Sequence, residues 1–105
     1  MLHGGYTDIS ALDGLPEGEL RVRGFVRSNR RGGQIGFIDL NDGTRHAGVQ
    51  VIYDISRAPA LEAAAKYPTG AAISVRGRLV RTPEAKQPYE VRAEEITLVG
   101  PCDGD

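Results

Sequence analysis

The chain has 105 residues, 40% of them hydrophobic, which is enough for one core and one compact domain but not for a large catalytic domain beside it. Its 13 Lys and Arg against 14 Asp and Glu leave a formal net charge of -1. That balance excludes a general polycation, so any nucleic-acid contact must come from a local patch.

Residues 1 to 18 read as an N-terminal segment outside the patterned part of the chain. The first strand is ELRVRGFVR, residues 19 to 27, where Leu20, Val22 and Val26 alternate with Arg21, Arg23 and Arg27, and Gly24 permits a bulge or sharp bend. Arg30 and Arg31 extend this basic run, and arginine suits planar recognition of phosphate and base. After the turn-prone RRGG, IGFIDL forms a second strand, and GVQVIYD, with Val49, Val51 and Tyr53 alternating against Gln50, Ile52 and Asp54, a third. Short turn-like connections suit an antiparallel meander. APALEAAAKY changes character: Pro59 fits a first helical turn, helix formers run to Lys66, and Pro68 and Gly70 close the segment. AAISVRGRLV, with Gly77 as a bend point, and YEVRAEEITLV supply two last strands.

Three strands, a helix and two strands is the order of an all-β, five-stranded OB-fold barrel with one short helix between the third and fourth strands. An SH3-like barrel shares the strand count, but the position of the helix favours the OB-fold.

Strand parity then raises a question about function. If Ile38 and Leu40 point inward, so do Val49, Val51, Val91 and Ala93, which leaves Phe37, Gln50 and Glu90 on the outer wall. A ring, an amide and a carboxylate on one wall make a nucleobase site: the ring stacks on any base, and the polar pair selects by hydrogen-bond pattern. Uracil fits, since its N3-H donates to a carboxylate and a carbonyl accepts from an amide, whereas cytosine presents an acceptor at N3. The plainer reading of the same wall is a covered phenylalanine beside ordinary surface polarity.

The series RGFVRSNRR, IGFIDLNDGT, GVQVIYD, VRGRLVRTP and YEVRAEEI resembles the N-terminal anticodon-binding OB domain of the class II aminoacyl-tRNA synthetases for aspartate, asparagine and lysine, from about Glu19 to Gly100. LNDG followed by VQVIYD is most similar to the asparagine enzymes; an aspartate or lysine enzyme is the alternative. The resemblance implies that Phe37 stacks on an anticodon base, Gln50 and Glu90 read the central uridine, and Arg30 contacts the anticodon. It implies phosphate contacts less directly at Arg27 and at Lys86 in TPEAKQP. Phe25 stands where the family often has tryptophan, so a hydrogen bond from an indole is lost there.

Nothing here is similar to the class II motifs for ATP and amino acid, and no catalytic residue is expected in the chain. The expectation is therefore an anticodon reader, residues 19 to 100, belonging to a longer ligase. Residues 101 to 105 would begin the linker, and ATP and magnesium would belong to the catalytic part. The partner is the tRNA anticodon loop, tRNA(Asn) in the first instance, with the domain monomeric and the parent enzyme a homodimer. The rivals are a stand-alone OB-fold binder of single strands and a protein-interaction barrel.

The other motifs are weaker. His3 and His46 lack metal-ligand spacing, and no cofactor is expected in the domain. DLNDGT has its glycine one place early for a calcium loop and reads as a turn, and RRGGQIG lacks the Lys-Ser or Lys-Thr of a phosphate loop. The lone Cys102 forms no internal disulfide, MLHGGYTDIS lacks signal-peptide character, and no segment approaches the ~20 apolar residues of a membrane span. A cytoplasmic protein without membrane attachment is expected.

Overall fold

The computed structural model of the chain describes residues 2–3 and 5–100. The His3 side chain, Cys102 and the expected linker at 101–105 lie outside what is described. A short hairpin of β1 (Leu2–His3) and β2 (Tyr6–Thr7) leads into a 3-10 helix over Ile9–Gly14. The barrel strands are β3 (Gly18–Gly32), β4 (Ile35–Asn41), β5 (Val49–Asp54), β6 (Ala72–Arg81) and β7 (Tyr89–Gly100), with a second 3-10 helix over Pro59–Lys66 between β5 and β6. They close in the order β3-β4-β5-β7-β6, and only β5 and β7 run parallel. This is the OB-fold, with its helix between the third and fourth barrel strands.

The inward set follows the alternation. Ile38 and Leu40 of β4, Val49, Val51 and Tyr53 of β5, and Val91 of β7 are buried, joined by Val22, Val26, Ile73, Val75 and Leu79; Ala93 packs against them while partly exposed. Each fully buried Val, Leu or Ile contributes about 1.5–3 kcal/mol, so this shared interior is what closes the sheet. Closure also brings backbones together. A Cβ on Gly24 would lie 2.5 Å from the Asn41 carbonyl oxygen, and one on Gly77 would lie 2.2 Å from that of Arg92. The pairing of β6 with β7 shifts between Arg76 and Gly77, at the expected bend point. In β3 the irregularity falls between Val26 and Ser28 rather than at Gly24.

Three features differ from the sequence reading. The segment expected to be peripheral at 1–18 contributes to the core: Ile9 and Leu12 are buried in it, since a helix of three residues per turn carries positions three apart on one side. This helix is held from across the chain, where the backbone N-H groups of Ile9 and Ser10 donate to Asp42 Oδ2 at 2.9 Å and Thr44 Oγ1 at 3.0 Å. The second helix is 3-10 rather than α. It buries Leu61 and Ala64, again three apart, and each end is closed by an i to i-3 bond, Leu61 to Ala58 and Tyr67 to Ala64. The β4–β5 connection is a loop over residues 42–48, folded on itself through Asn41 and Asp42. Burial opposes ionisation of Asp42, but donation from the Thr44 hydroxyl and from the Ile9 and Thr44 N-H groups outweighs it and lowers the carboxyl below its ordinary range.

Candidate nucleic-acid interface

The outer wall is a lattice of side chains fixed by register. One row runs Arg30 on β3, Phe37 on β4, Ile52 on β5, Arg92 on β7 and Arg78 on β6, each the direct partner of the next. The adjacent row runs Ser28, Asp39 and Gln50; Val51 pairs with Val91, so one step back along the parallel strands Gln50 neighbours Glu90, which pairs with Val80. Phe37 and Gln50 are thus diagonal neighbours on paired strands, about 7–8 Å apart and within reach of long side chains. Gln50 and Glu90 stand on adjacent strands about 4.8 Å apart. All three are half-buried on the outside of the barrel.

The bulge in β3 decides what joins them. Counted from Val22 and Val26, simple alternation would turn Arg30 inward. The extra residue, Arg27, reverses parity, so Asn29 pairs with inward-facing Ile38 and Arg30 pairs with Phe37. The Arg30 guanidinium lies 5.6 Å from the Phe37 ring centre. An exposed contact of this kind contributes about 0.5–1 kcal/mol, less than the ~1–3 kcal/mol of a stacked base, so a base can take the ring face from it.

The polar pair differs in its engagements. Gln50 has no hydrogen bond to the protein among the described residues, so its amide donors and carbonyl are available. Glu90 has one: its Oε2 accepts from Arg92 Nε at 2.8 Å, and its side chain is only 13% exposed against 59% for Arg92. Glu90 and Arg92 also border a groove running between β5, β7 and the second helix, with Ile52, Leu61 and Val80 in its walls; Phe37 and Gln50 stand outside that groove.

The remaining candidates are more scattered. Arg27 is exposed at the bulge, and Lys86 is exposed in the loop over residues 82–88, which joins Arg81 to Tyr89 one pair beyond Val80 and Glu90. The arginine run does not form one patch either. Arg21 and Arg23 lie over the Tyr6 ring, at 4.6 and 4.7 Å from its centre, and Arg31 Nε donates to the Gly33 carbonyl at 2.7 Å. A hydrogen bond with Ser74 and the two guanidinium charges outweigh desolvation and lower the Tyr6 phenol below its usual range. Phe25 is 56% exposed and borders a shallow recess with Val99, so it projects to solvent on another part of the surface.

Several supports were missed in the sequence. Asn29 sits between three groups: its Nδ2 donates to the carbonyls of Ala64 at 2.9 Å and Tyr67 at 3.0 Å, while its Oδ1 accepts from the Tyr53 hydroxyl at 3.0 Å. It thereby anchors the second helix to the barrel. At the other side of Glu90, Tyr89 donates to Asp13, and Arg45 donates to the Tyr89 hydroxyl at 2.8 Å. Donation from Tyr89, aided by the charges of Arg45 and Arg81, lowers the Asp13 carboxyl, whereas burial and the same bond to Asp13 push the Tyr89 phenol up. The strand start that delivers Glu90 is therefore pinned to the first helix and to the β4–β5 loop.

The family model for the OB-fold nucleic acid binding domain of the tRNA anticodon type matches residues 20–99. The chain belongs to this family. An asparagine–tRNA ligase of Clostridium perfringens (strain 13 / Type A) is 39% identical to it over 87 residues, which cover 83% of this chain and 19% of the relative. The chain thus spans about a fifth of the length of that relative. Solved structures share its fold. The asparaginyl-tRNA synthetase from Pyrococcus horikoshii superposes with a TM-score of 0.70 at 23% identity, over 80% of this chain and 20% of the other. An OBody, AM3L15, bound to hen egg-white lysozyme, gives a TM-score of 0.81 at 15% identity over 97% and 100%.

Proposed function

We propose that this chain is the anticodon-reading domain of an asparagine–tRNA ligase and that Phe37, Gln50 and Glu90 bind the central uridine of the anticodon. The observation that carries the reading is the lattice itself. The ring, an amide without a hydrogen-bond partner among the described residues and a half-buried carboxylate emerge at neighbouring positions on β4, β5 and β7 of a family member whose relative is such a ligase.

The chemistry follows from the groups. Phe37 anchors the base by stacking; Gln50 donates to a uracil carbonyl, and the oxygen of Glu90 not engaged by Arg92 accepts the N3-H. Arg30, released from the ring face or held against the stacked base, offsets phosphate charge on a wall that also carries Asp39. Arg27 and Lys86 contribute phosphate attraction from the periphery. The ligation chemistry, ATP with magnesium, and dimerisation are assigned to the rest of a longer enzyme. In that enzyme this domain would place the acceptor end of tRNA(Asn) by holding the anticodon loop.

Titration of the 105-residue chain with an asparagine anticodon stem-loop tests the reading. Changing the central uridine to cytidine is expected to weaken binding roughly ten- to hundredfold, the discrimination of a good hydrogen-bonded pair. Equal affinity for both stem-loops would instead indicate a single-strand binder without base choice, and no binding to either would favour a protein partner.

A further inference from the structure

We propose that Arg92 is a positioning residue for base selection: it holds the Glu90 carboxylate in the orientation that accepts the N3-H of uracil. The inference rests on the base-reading assignment of Glu90 and extends it to a residue for which no role has been given.

Glu90 and Arg92 are two apart on β7 and so emerge on the same outer wall. Their contact uses Arg92 Nε and Glu90 Oε2 at 2.8 Å, which fixes one carboxylate oxygen and leaves the other for a ligand. The neighbours of Arg92 explain why its side chain turns this way. Arg78 is its direct partner across β6, and like charges placed opposite each other repel. Glu94, the next acid along β7 after Glu90, is already held by Arg76 at 2.8 Å, and Arg76 also approaches Glu95 at 3.6 Å. Glu90 is therefore the carboxylate left to Arg92, and at 13% exposure it has little room to adopt another rotamer once held.

The bond also serves electrostatics. Asp39 and Glu90 flank Gln50 in one row, so an incoming nucleotide with its phosphate meets two carboxylates. A guanidinium fixed on one of them halves that repulsion without occupying the oxygen that selects the base. An arginine meant only to attract phosphate would act on every sequence equally; one that orients Glu90 acts on the choice between uracil and cytosine.

The test uses the 105-residue chain, with uridine- and cytidine-centred stem-loops titrated at one salt concentration. Arg92→Gln is expected to reduce the uridine-to-cytidine affinity ratio about five- to tenfold, mainly through the uridine stem-loop, as loss of a hydrogen bond of ordinary net strength does at a largely exposed donor. Arg92→Lys, which keeps the charge but not the planar Nε donor, should recover only part of the ratio. In a Glu90→Gln background, Arg92→Gln should change the ratio no further. Arg92 is 59% exposed, so thermal unfolding of the variants should match that of the parent. An unchanged ratio, with both stem-loops weakened alike, would make Arg92 a phosphate contact and overturn the proposal while sparing the role of Glu90. The same change in the Glu90→Gln background would overturn it as well. If Glu90→Gln itself leaves the ratio intact, the base-reading assignment fails, and this inference with it.

Discussion

Phe37→Ala is expected to weaken binding of the uridine stem-loop by about 1–3 kcal/mol, roughly five- to 150-fold, and to weaken the cytidine stem-loop by the same factor. Stacking is indifferent to base identity, so the anchor can be removed without touching the selector. The barrel itself should tolerate the change. Phe37 is half-buried on the outer wall beside Ile35 and Ile52, and the interior built on Ile38 and Leu40 lies on the opposite face of β4. Fluorescence anisotropy titration at fixed salt, alongside thermal unfolding, separates the two effects. An unchanged affinity would mean that no base sits on this ring.

A second substitution, one residue away, has the opposite character. Gly36→Ala would place its Cβ 1.9 Å from Tyr53 Cζ and 2.3 Å from both Cε1 and the hydroxyl oxygen, a separation no packed pair of atoms can hold. The ring has nowhere to go: Tyr53 is completely buried and its hydroxyl is fixed on Asn29, which in turn holds the carbonyls of Ala64 and Tyr67. Overpacking together with a broken buried network is expected to cost about 3–5 kcal/mol. For a domain of this size that lowers Tm by roughly 15–30 °C, measurable by circular dichroism. Adding Tyr53→Leu, which removes the ring, should restore part of the loss; a Gly36→Ala variant as stable as the parent would show that Tyr53 does not lie over Gly36.

The two positions also show what alternation in a strand reveals. On β4, on β5 and on β7 as far as Ala93, each residue's side follows from parity, because the hydrophobic set is continuous and one face is buried; beyond Ala93 the register shift at Glu94 breaks it. Phe37, Gln50 and Glu90 are therefore legible as outward before any coordinates. On β3 parity breaks at Arg27, an arginine among arginines with nothing local to mark a bulge, and the outward turn of Arg30 depends on it. The glycine that did draw attention, Gly24, is instead a place where β3 approaches the Asn41 backbone.

Short segments hid more. Ile9 and Leu12 form one apolar pair in a six-residue helix, too little for a period to register, yet both belong to the core. Asn29 reads as a polar residue in a basic run, and only the folded chain shows it joining β3, Tyr53 and the second helix. Glu90 was legible as a carboxylate on a wall; its bond to Arg92 depends on Arg78 and Arg76, which arrive from a different strand. Long-range pairing of this kind leaves no local signature in a single sequence.

The central claim is that one base meets Phe37, Gln50 and Glu90 together, and intermolecular NOEs between the isotope-labelled chain and an unlabelled anticodon stem-loop test it most directly. Contacts are expected from H5 and H6 of the central uridine to the Phe37 ring protons and to the Gln50 side-chain amide. Contacts of that uridine with Tyr6 between its two arginines, or with the exposed Phe25, in place of Phe37 would contradict it.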